Sequence, residues 1–226
     1  MFFQQIQPGK PMAAALVVAV LGAVGAFWPN GRAAGAITNS PLPTAPAYQS
    51  TNWAGYADVV SSSGYAFTLV SGDFTVPKIK APAGSSSMYS AFWVGLDGFN
   101  SNTVEQTGVL AQTSNGITQY YAWYEMYPGG LITFNNLTIN PGDKISTEVS
   151  YDGSNNYTLT IHDLTSGKGD STTQSSTSPD ARSSAEWIAE APTIQSYNGT
   201  QSISTLGKFG AVTFAKASGV KIPWEA

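Results

Sequence analysis

The sequence has no cysteine and a single histidine, His162. Without cysteine there is no disulfide framework, no thiolate nucleophile and no sulfur-bound metal. One histidine excludes histidine-cluster metal sites and makes any Ser-His-Asp triad depend on His162 alone, which alternation places on a solvent face beside a loop. Charge is scarce too. Charged residues are 11% of the 226, against roughly 25% in an average globular protein. The net charge is −4 and no basic patch exists, which excludes nucleic-acid phosphates as partners. An Asp-Thr/Ser-Gly pair, as in pepsin-like aspartic peptidases, is missing, and so is helical periodicity beyond Thr51. Carboxylates and amides remain to do chemistry, and Ser, Thr, Asn, Gln and Gly remain to cover the surface. Hydrophobic residues at 42% and aromatics at 12% are the composition of a folded domain large enough for a substantial core.

Residues 1–36 read as a secretory signal peptide. Lys10 supplies a positive start, and Met12 to Phe27 is uncharged and rich in Ala, Val and Leu. At 16 residues it is shorter than the roughly 20 of a membrane-spanning helix, the competing reading. Ala34-Gly-Ala36 resembles a cleavage site. Residues 37–50, with Pro41, Pro43 and Pro46, read as a linker or short pro-segment. The domain is expected over 51–226, secreted, monomeric and free of the membrane once the leader is gone.

Strand follows strand from there. Ala91 to Asp97 alternates, with Phe92, Val94 and Leu96 on one face and Trp93, Gly95 and Asp97 on the other. Tyr121, Trp123, Glu125 and Tyr127 share one face of the next aromatic strand; Tyr120, Ala122, Tyr124 and Met126 share its opposite. Tyr65 to Val76, Lys144 to Tyr151, Tyr157 to His162 and Ala185 to Glu190 follow the same rule, Phe209 to Phe214 is a further strand candidate, and Thr165 to Ser178 is an edge strand or surface connection. Short alternating strands with frequent turns predict an all-β fold, an antiparallel β-sandwich of two curved sheets, lectin-like or jelly-roll-like.

Two stretches carry candidate chemistry. A strand face with Trp, Tyr and Glu together fits either a cleft, with Trp93 and Asp97 alongside, or a core face with Glu125 at its rim. Glu186 and Glu190 are four apart and share a face, while Trp187 points the other way. Spacing does not choose between the two glutamates, and a solvated face is the plainer reading of either.

Trp93-Val-Gly-Leu-Asp-Gly98, Glu105-Gln-Thr-Gly108, Tyr121-Ala-Trp-Tyr-Glu-Met-Tyr-Pro128 and Ala185-Glu-Trp-Ile-Ala-Glu190 resemble, in order, the signature segments of the glutamic peptidases, or eqolisins (peptidase family G1). Asn52-Trp-Ala-Gly55 is similar to the family's usual start of the mature enzyme. The resemblance covers about Thr51 to Phe214. It implies a β-sandwich with endopeptidase activity on polypeptides at acid pH and no cofactor. By motif position the catalytic pair is Gln106 and Glu190, with Trp93, Asp97, Trp123 and Glu125 as supporting, substrate-binding residues. A carboxylate can take a proton from water and return it to the leaving amine. A Gln amide can donate to the developing oxyanion at any pH. Glu has an ordinary pKa near 4.3, so an acidic optimum follows if Glu190 is not strongly shifted. Glu105 faces away by alternation and is structural. With few ion pairs to lose, stability is expected to fall only shallowly between about pH 7 and pH 3. The family's chain continues past the Phe209–Phe214 segment, so a sequence ending at Ala226 is expected to lack a closing strand.

Two other readings compete. A carbohydrate-active β-sandwich would use Glu125 and Glu190 as acid and nucleophile and require nothing of Gln106. A catalytically inert module would use the aromatic face to bind sugar or peptide.

Overall fold

Period-two alternation governs most of the fold. The computed structural model describes residues 48–60, 64–82, 85, 87–176, 180–196 and 198–223, and among them there are strands and no α-helix. The expected leader and most of the linker lie outside the described residues. Thirteen strands run in chain order: β1 Trp53–Val59, β2 Tyr65–Thr75, β3 Ser87–Leu96, β4 Val104–Ser114, β5 Ile117–Tyr127, β6 Ile132–Thr133, β7 Lys144–Tyr151, β8 Asn156–Asp163, β9 Lys168–Ser175, β10 Ser184–Glu190, β11 Thr193–Gln195, β12 Gln201–Ile203 and β13 Ala215–Pro223. Six form one sheet in the order β1-β10-β3-β4-β5-β6, and five form a second in the order β13-β2-β7-β8-β9. β11 and β12 make a small separate ladder. Every pairing is antiparallel. This is the expected sandwich.

The sheets pack through their alternate residues. Phe92, Val94 and Leu96 of β3 meet Phe67, Val70 and Phe74 of β2, Ile145 and Val149 of β7, and Leu159 and Ile161 of β8. Fully burying one such side chain contributes roughly 1.5–3 kcal/mol. β2 keeps both Phe67 and Val70 inward, although they differ in parity, because its register against β13 skips Thr68. The six-stranded sheet also carries a second apolar cluster on its other face. That cluster joins Ala91, Trp93, Val104, Leu110, Trp123 and Ile188, with Trp53 packed against it. β3, β4 and β10 are therefore buried on both faces.

Two expectations are corrected at the C-terminal end. Phe209 to Phe214 is not a strand; the segment is irregular, and Gly210 turns the chain with φ 68. Its aromatics serve as plugs instead. Phe209 stacks edge-on against Phe92 at 5.0 Å, and Phe214 lies 5.3 Å from Phe74. The strand comes next: β13 pairs with β2 and forms the edge of the five-stranded sheet, so sequence past Phe214 supplies a closing strand. Thr165 to Ser178 contains the expected edge strand, β9. No helix among the described residues is long and apolar enough to cross a membrane.

Candidate active site

Register fixes which side chains share the outer face of the six-stranded sheet. Gln106 of β4 pairs with Gly95 of β3 on one side and with Glu125 of β5 on the other. Beyond Gly95 stands Glu186 of β10. Four residues along β10, Glu190 pairs with Ala91 of β3 and with Trp53 of β1. Trp93, Gly108 and Trp123 form the row between. Gln106 and Glu190 thus rise from one face, two strands and four residues apart. On a flat sheet their Cα atoms would stand about 17 Å from each other. That is too far for a direct bond, and the buried Trp93 and Trp123 occupy the row between the two side chains.

Two glycines shape this face. A Cβ on Gly95 would lie 3.0 Å from Cζ3 of Trp93 and 3.1 Å from Cβ of Gln106. Glycine there lets the indole lie along the sheet beside the amide. A Cβ on Gly108 would sit 2.7 Å from Cα of Trp93 and collide with the Phe92 carbonyl. Gly108 needs the bare backbone because of close approach, and at Gly95 a side chain would require its neighbours to shift slightly.

Glu190 is buried and doubly held. Trp93 donates from Nε1 to its Oε2 at 2.9 Å, and Asn52 donates from Nδ2 to its Oε1 at 3.2 Å. Burial pushes its carboxyl up to about 7, against the downward pull of the Trp93, Trp53 and Asn52 side chains. The Trp53 indole N–H leans toward it without closing a hydrogen bond. Gln106 donates from Nε2 to Oε2 of Glu125 at 2.7 Å, both side chains being buried. Burial, aided by the charge of Glu190, pushes Glu125 up to about 9, and the Gln106 bond only partly offsets this. Oε1 of each of that pair has no hydrogen-bond partner. Two glutamates of unequal acidity and one amide thus share a face from which water is largely excluded. The condition for an optimum at the ordinary glutamate pKa, an unshifted Glu190, is not met.

Trp93, Trp123, Glu125, Gln106 and Glu190 come together on this face. Trp123 is buried there, and its carbonyl accepts from Thr107 Oγ1 at 2.8 Å. Asp97 does not join them. β3 ends at Leu96, Asp97 takes φ 65, and the alternation stops. Its carboxylate accepts from the Arg182 amide at 2.7 Å and from the Ser183 amide and hydroxyl at 2.8 and 3.0 Å. It braces the chain entering β10. Burial pushes Asp97 up, and these bonds hold it partly down.

Glu105 and Glu186 are buried as well, at 1% and 0% exposure, so the solvated reading of Glu186 fails. Glu105 points to the inner side with Leu96 and Met126, its row partners, as alternation requires. Burial pushes both carboxyls well up, and the charges of Asp97 and Asp180 add to this at Glu105, those of Asp97 and Glu105 at Glu186. The Ser184 hydroxyl and the Phe99 amide pull Glu186 the other way, without reaching hydrogen-bond geometry. Asn52 and Ser50 complete the surroundings of Glu190; in the sequence Asn52 was marked only by the Asn52-Trp-Ala-Gly55 motif, and Ser50 only as the end of the expected linker. His162 is exposed, and its ring lies over Gly169 on the outside of the second sheet. No group of three or more His, Asp or Glu among the described residues is placed to hold a metal ion.

Comparison with known proteins identifies the family and the fold. The chain is 33% identical to Aspergillopepsin-2 of Aspergillus niger over 188 residues, 74% of this chain and 64% of that protein. It is 34% identical to Scytalidopepsin B of Scytalidium lignicola over 165 residues, 70% of this chain and 59% of that protein. The chain therefore spans about three-fifths of the length of these relatives. The structure superposes on scytalido-glutamic peptidase bound to a transition-state analog inhibitor with a TM-score of 0.64 and 30% identity, covering 75% of this chain and 80% of that one. It also superposes on SCP-B, of the eqolisin family, in complex with the tripeptide Ala-Ile-His, with a TM-score of 0.60 and 28% identity over 75% and 79% of the two chains. The match to the Peptidase A4 family runs over residues 51–221, and the chain belongs to that family.

Proposed function

We propose that this chain is a secreted endopeptidase that hydrolyses polypeptides with Glu190 as general base and acid and Gln106 as oxyanion donor. The observation that carries the reading is the holding of Glu190. Trp93 and Asn52 bond both of its oxygens, on the same face where Glu125 binds the Gln106 amide. Water bound between the two side chains gives a proton to Glu190 as its oxygen bonds to the scissile carbonyl carbon. The negative charge moves to the carbonyl oxygen, where the second N–H of Gln106 meets it; one such donor is typically worth about 2.7–4 kcal/mol in the barrier. The C–N bond then breaks, the amine takes the proton back from Glu190, and acid and amine leave. Glu125, held neutral, fixes the Gln106 amide and adds no charge beside the oxyanion. Trp93 and Trp123 flank the path as apolar walls, and Asp97 acts at a distance by bracing β10.

The pH range follows from two opposed effects. Glu190 must be ionised to accept a proton, which favours higher pH. The other buried carboxyls must stay protonated for the fold to persist, which favours lower pH. Glu190, which titrates near 7, sets the acid limb of activity, and ionisation of the other buried carboxyls, Glu125 near 9 among them, sets the alkaline limb. The test is the release of new amino termini from an unfolded protein substrate, followed from about pH 3 to about pH 8. Cleavage within the substrate chain, falling away as the pH drops below about 7 and Glu190 takes up its proton, is expected. No cleavage across that range, or a rate that rises steadily toward about pH 3, would overturn the proposal.

A further inference from the structure

The residues that lead into and open β1 reach the Glu190 carboxylate. Ser50, Asn52 and Trp53 precede or open β1, and β1 pairs with β10 such that Trp53 stands opposite Glu190. The Ala191 amide donates to the Asn52 carbonyl at 2.8 Å, which staples Asn52 to the residue after Glu190. Its side chain then has one course. The amides of Asn52 and Trp53 donate to Ser50 Oγ at 3.3 and 3.0 Å. With its lone pairs so occupied, the Ser50 hydroxyl sends its proton to Asn52 Oδ1 at 3.3 Å. The amide oxygen is thereby turned toward Ser50 and the NH₂ toward Glu190.

We propose that Asn52, steered by Ser50, is a positioning residue for Glu190, fixing the carboxylate's rotation and holding it in the ionised form. The inference rests on the reading of Glu190 as the base. A carboxylate with a donor on only one oxygen can swing about its last bond. With Trp93 of β3 on Oε2 and Asn52, just before β1, on Oε1, the plane of the group is set from two sides at once. Both bonds are to a buried charge, where a hydrogen bond is stronger and its loss more costly. Trp53 reinforces the arrangement by meeting Trp93 edge-on, with ring centres 4.8 Å apart. Glu125, on β5, is the titratable group whose charge state couples to that of Glu190. The base is complete only when β1 is docked on β10.

The test uses Asn52→Leu, near in size but unable to donate, and Asn52→Asp, which sets a second carboxyl against Glu190. In the full chain both are expected to move the acid limb of kcat/KM to higher pH, Asn52→Leu by about one pH unit, from the loss of one hydrogen bond to a charged group. Asn52→Asp is expected to move it further. Below the limb, kcat/KM falls about tenfold in Asn52→Leu. A residue that merely held β1 in place would lower the melting temperature and leave the limb where it was, and that result would overturn the proposal. Should Asn52→Leu fold poorly, Ser50→Ala frees the amide to turn and is expected to move the limb in the same direction by less; an unmoved limb there would also overturn it. The Glu190 carboxyl is titrated by carbon NMR in the same proteins. A rise on replacing Asn52 in a chain without proteolysis would uphold the positioning and refute the peptidase reading. Proteolysis with an unmoved Glu190 would do the reverse.

Discussion

Raising the pH from about 5 to about 7 is expected to destabilise this fold strongly, because its buried carboxyls are protonated in the native state and ionised in the unfolded one. Glu190 is pushed up to about 7 and Glu125 to about 9, from an ordinary 4.5. Between the ordinary and raised values the native state binds protons that the unfolded state has released, so stability falls as pH rises. Each such group costs about 1.4 kcal/mol per pH unit. These two alone give a slope of about −2.7 kcal/mol per unit up to about pH 7, and one group's slope from there toward pH 9. Over two units the loss is about 5 kcal/mol, against a total of roughly 5–15 kcal/mol for a typical domain. Glu105 and Glu186, raised well above the ordinary value by burial, steepen it further. Asp163 acts with the opposite sign. Burial raises it, but the Ser166 and Thr165 hydrogen bonds outweigh that and lower it overall, so its contribution is present above its ordinary value and lost in stronger acid. Maximum stability should thus lie near pH 4 to 5, with a drop in melting temperature of about 10–20 °C by pH 7. The assay is thermal unfolding followed by tryptophan fluorescence, on Gln106→Ala to prevent self-digestion while keeping every carboxyl. A melting temperature that is flat or rises across that interval would refute the reasoning. This reverses the shallow decline toward acid expected from charge content alone.

Other perturbations separate the parts of the site. Glu125→Gln keeps a partner for Gln106 but removes one titration, and should flatten the pH slope of unfolding by about 1.4 kcal/mol per unit, as read from urea midpoints at several pH values. Trp93→Phe keeps an aromatic over Gly95 but removes the donor to Glu190; the acid limb of kcat/KM should rise by about one pH unit. Gly108→Ala drives a methyl into the Phe92 carbonyl and Trp93, and should cost about 1–3 kcal/mol or more in chemical unfolding. Asp97→Ala leaves the Arg182 and Ser183 amides without their acceptor. It should lower stability by about 1–3 kcal/mol, as measured by thermal unfolding, without moving the acid limb of activity.

The sequence made the inner and outer faces legible where alternation was strict. Phe92, Val94 and Leu96 separate from Trp93 and Gly95 as the period requires, and Trp187 separates from Glu186 and Glu190. Parity could not follow the chain through breaks. Asp97 belongs by count to the Trp93 face, but the strand stops one residue earlier and its carboxylate serves the Arg182–Ser183 backbone. Phe209 to Phe214 has strand-like composition without strict alternation, and its aromatics fill gaps rather than pair. Burial of Glu186 was hidden because a glutamate ordinarily seeks water, and of the groups that approach its carboxyl, the Ser184 hydroxyl and the Phe99 backbone, the second comes from outside its own strand. Asn52 lies 138 residues from the carboxylate it holds, and nothing local to it signals that contact.

The central claim is that Gln106 and Glu190 act as one unit on a peptide bond. Its most direct test is cleavage of an unfolded protein by the parent chain beside Gln106→Ala and Glu190→Gln, at the parent's own optimum, with near-ultraviolet circular dichroism to verify folding. The account predicts losses of at least about a hundredfold in each single variant, and a double variant barely worse than either alone, since residues acting as a unit are not additive. Proteolysis retained in folded Gln106→Ala would contradict it and shift the chemistry to Glu125 and Glu190.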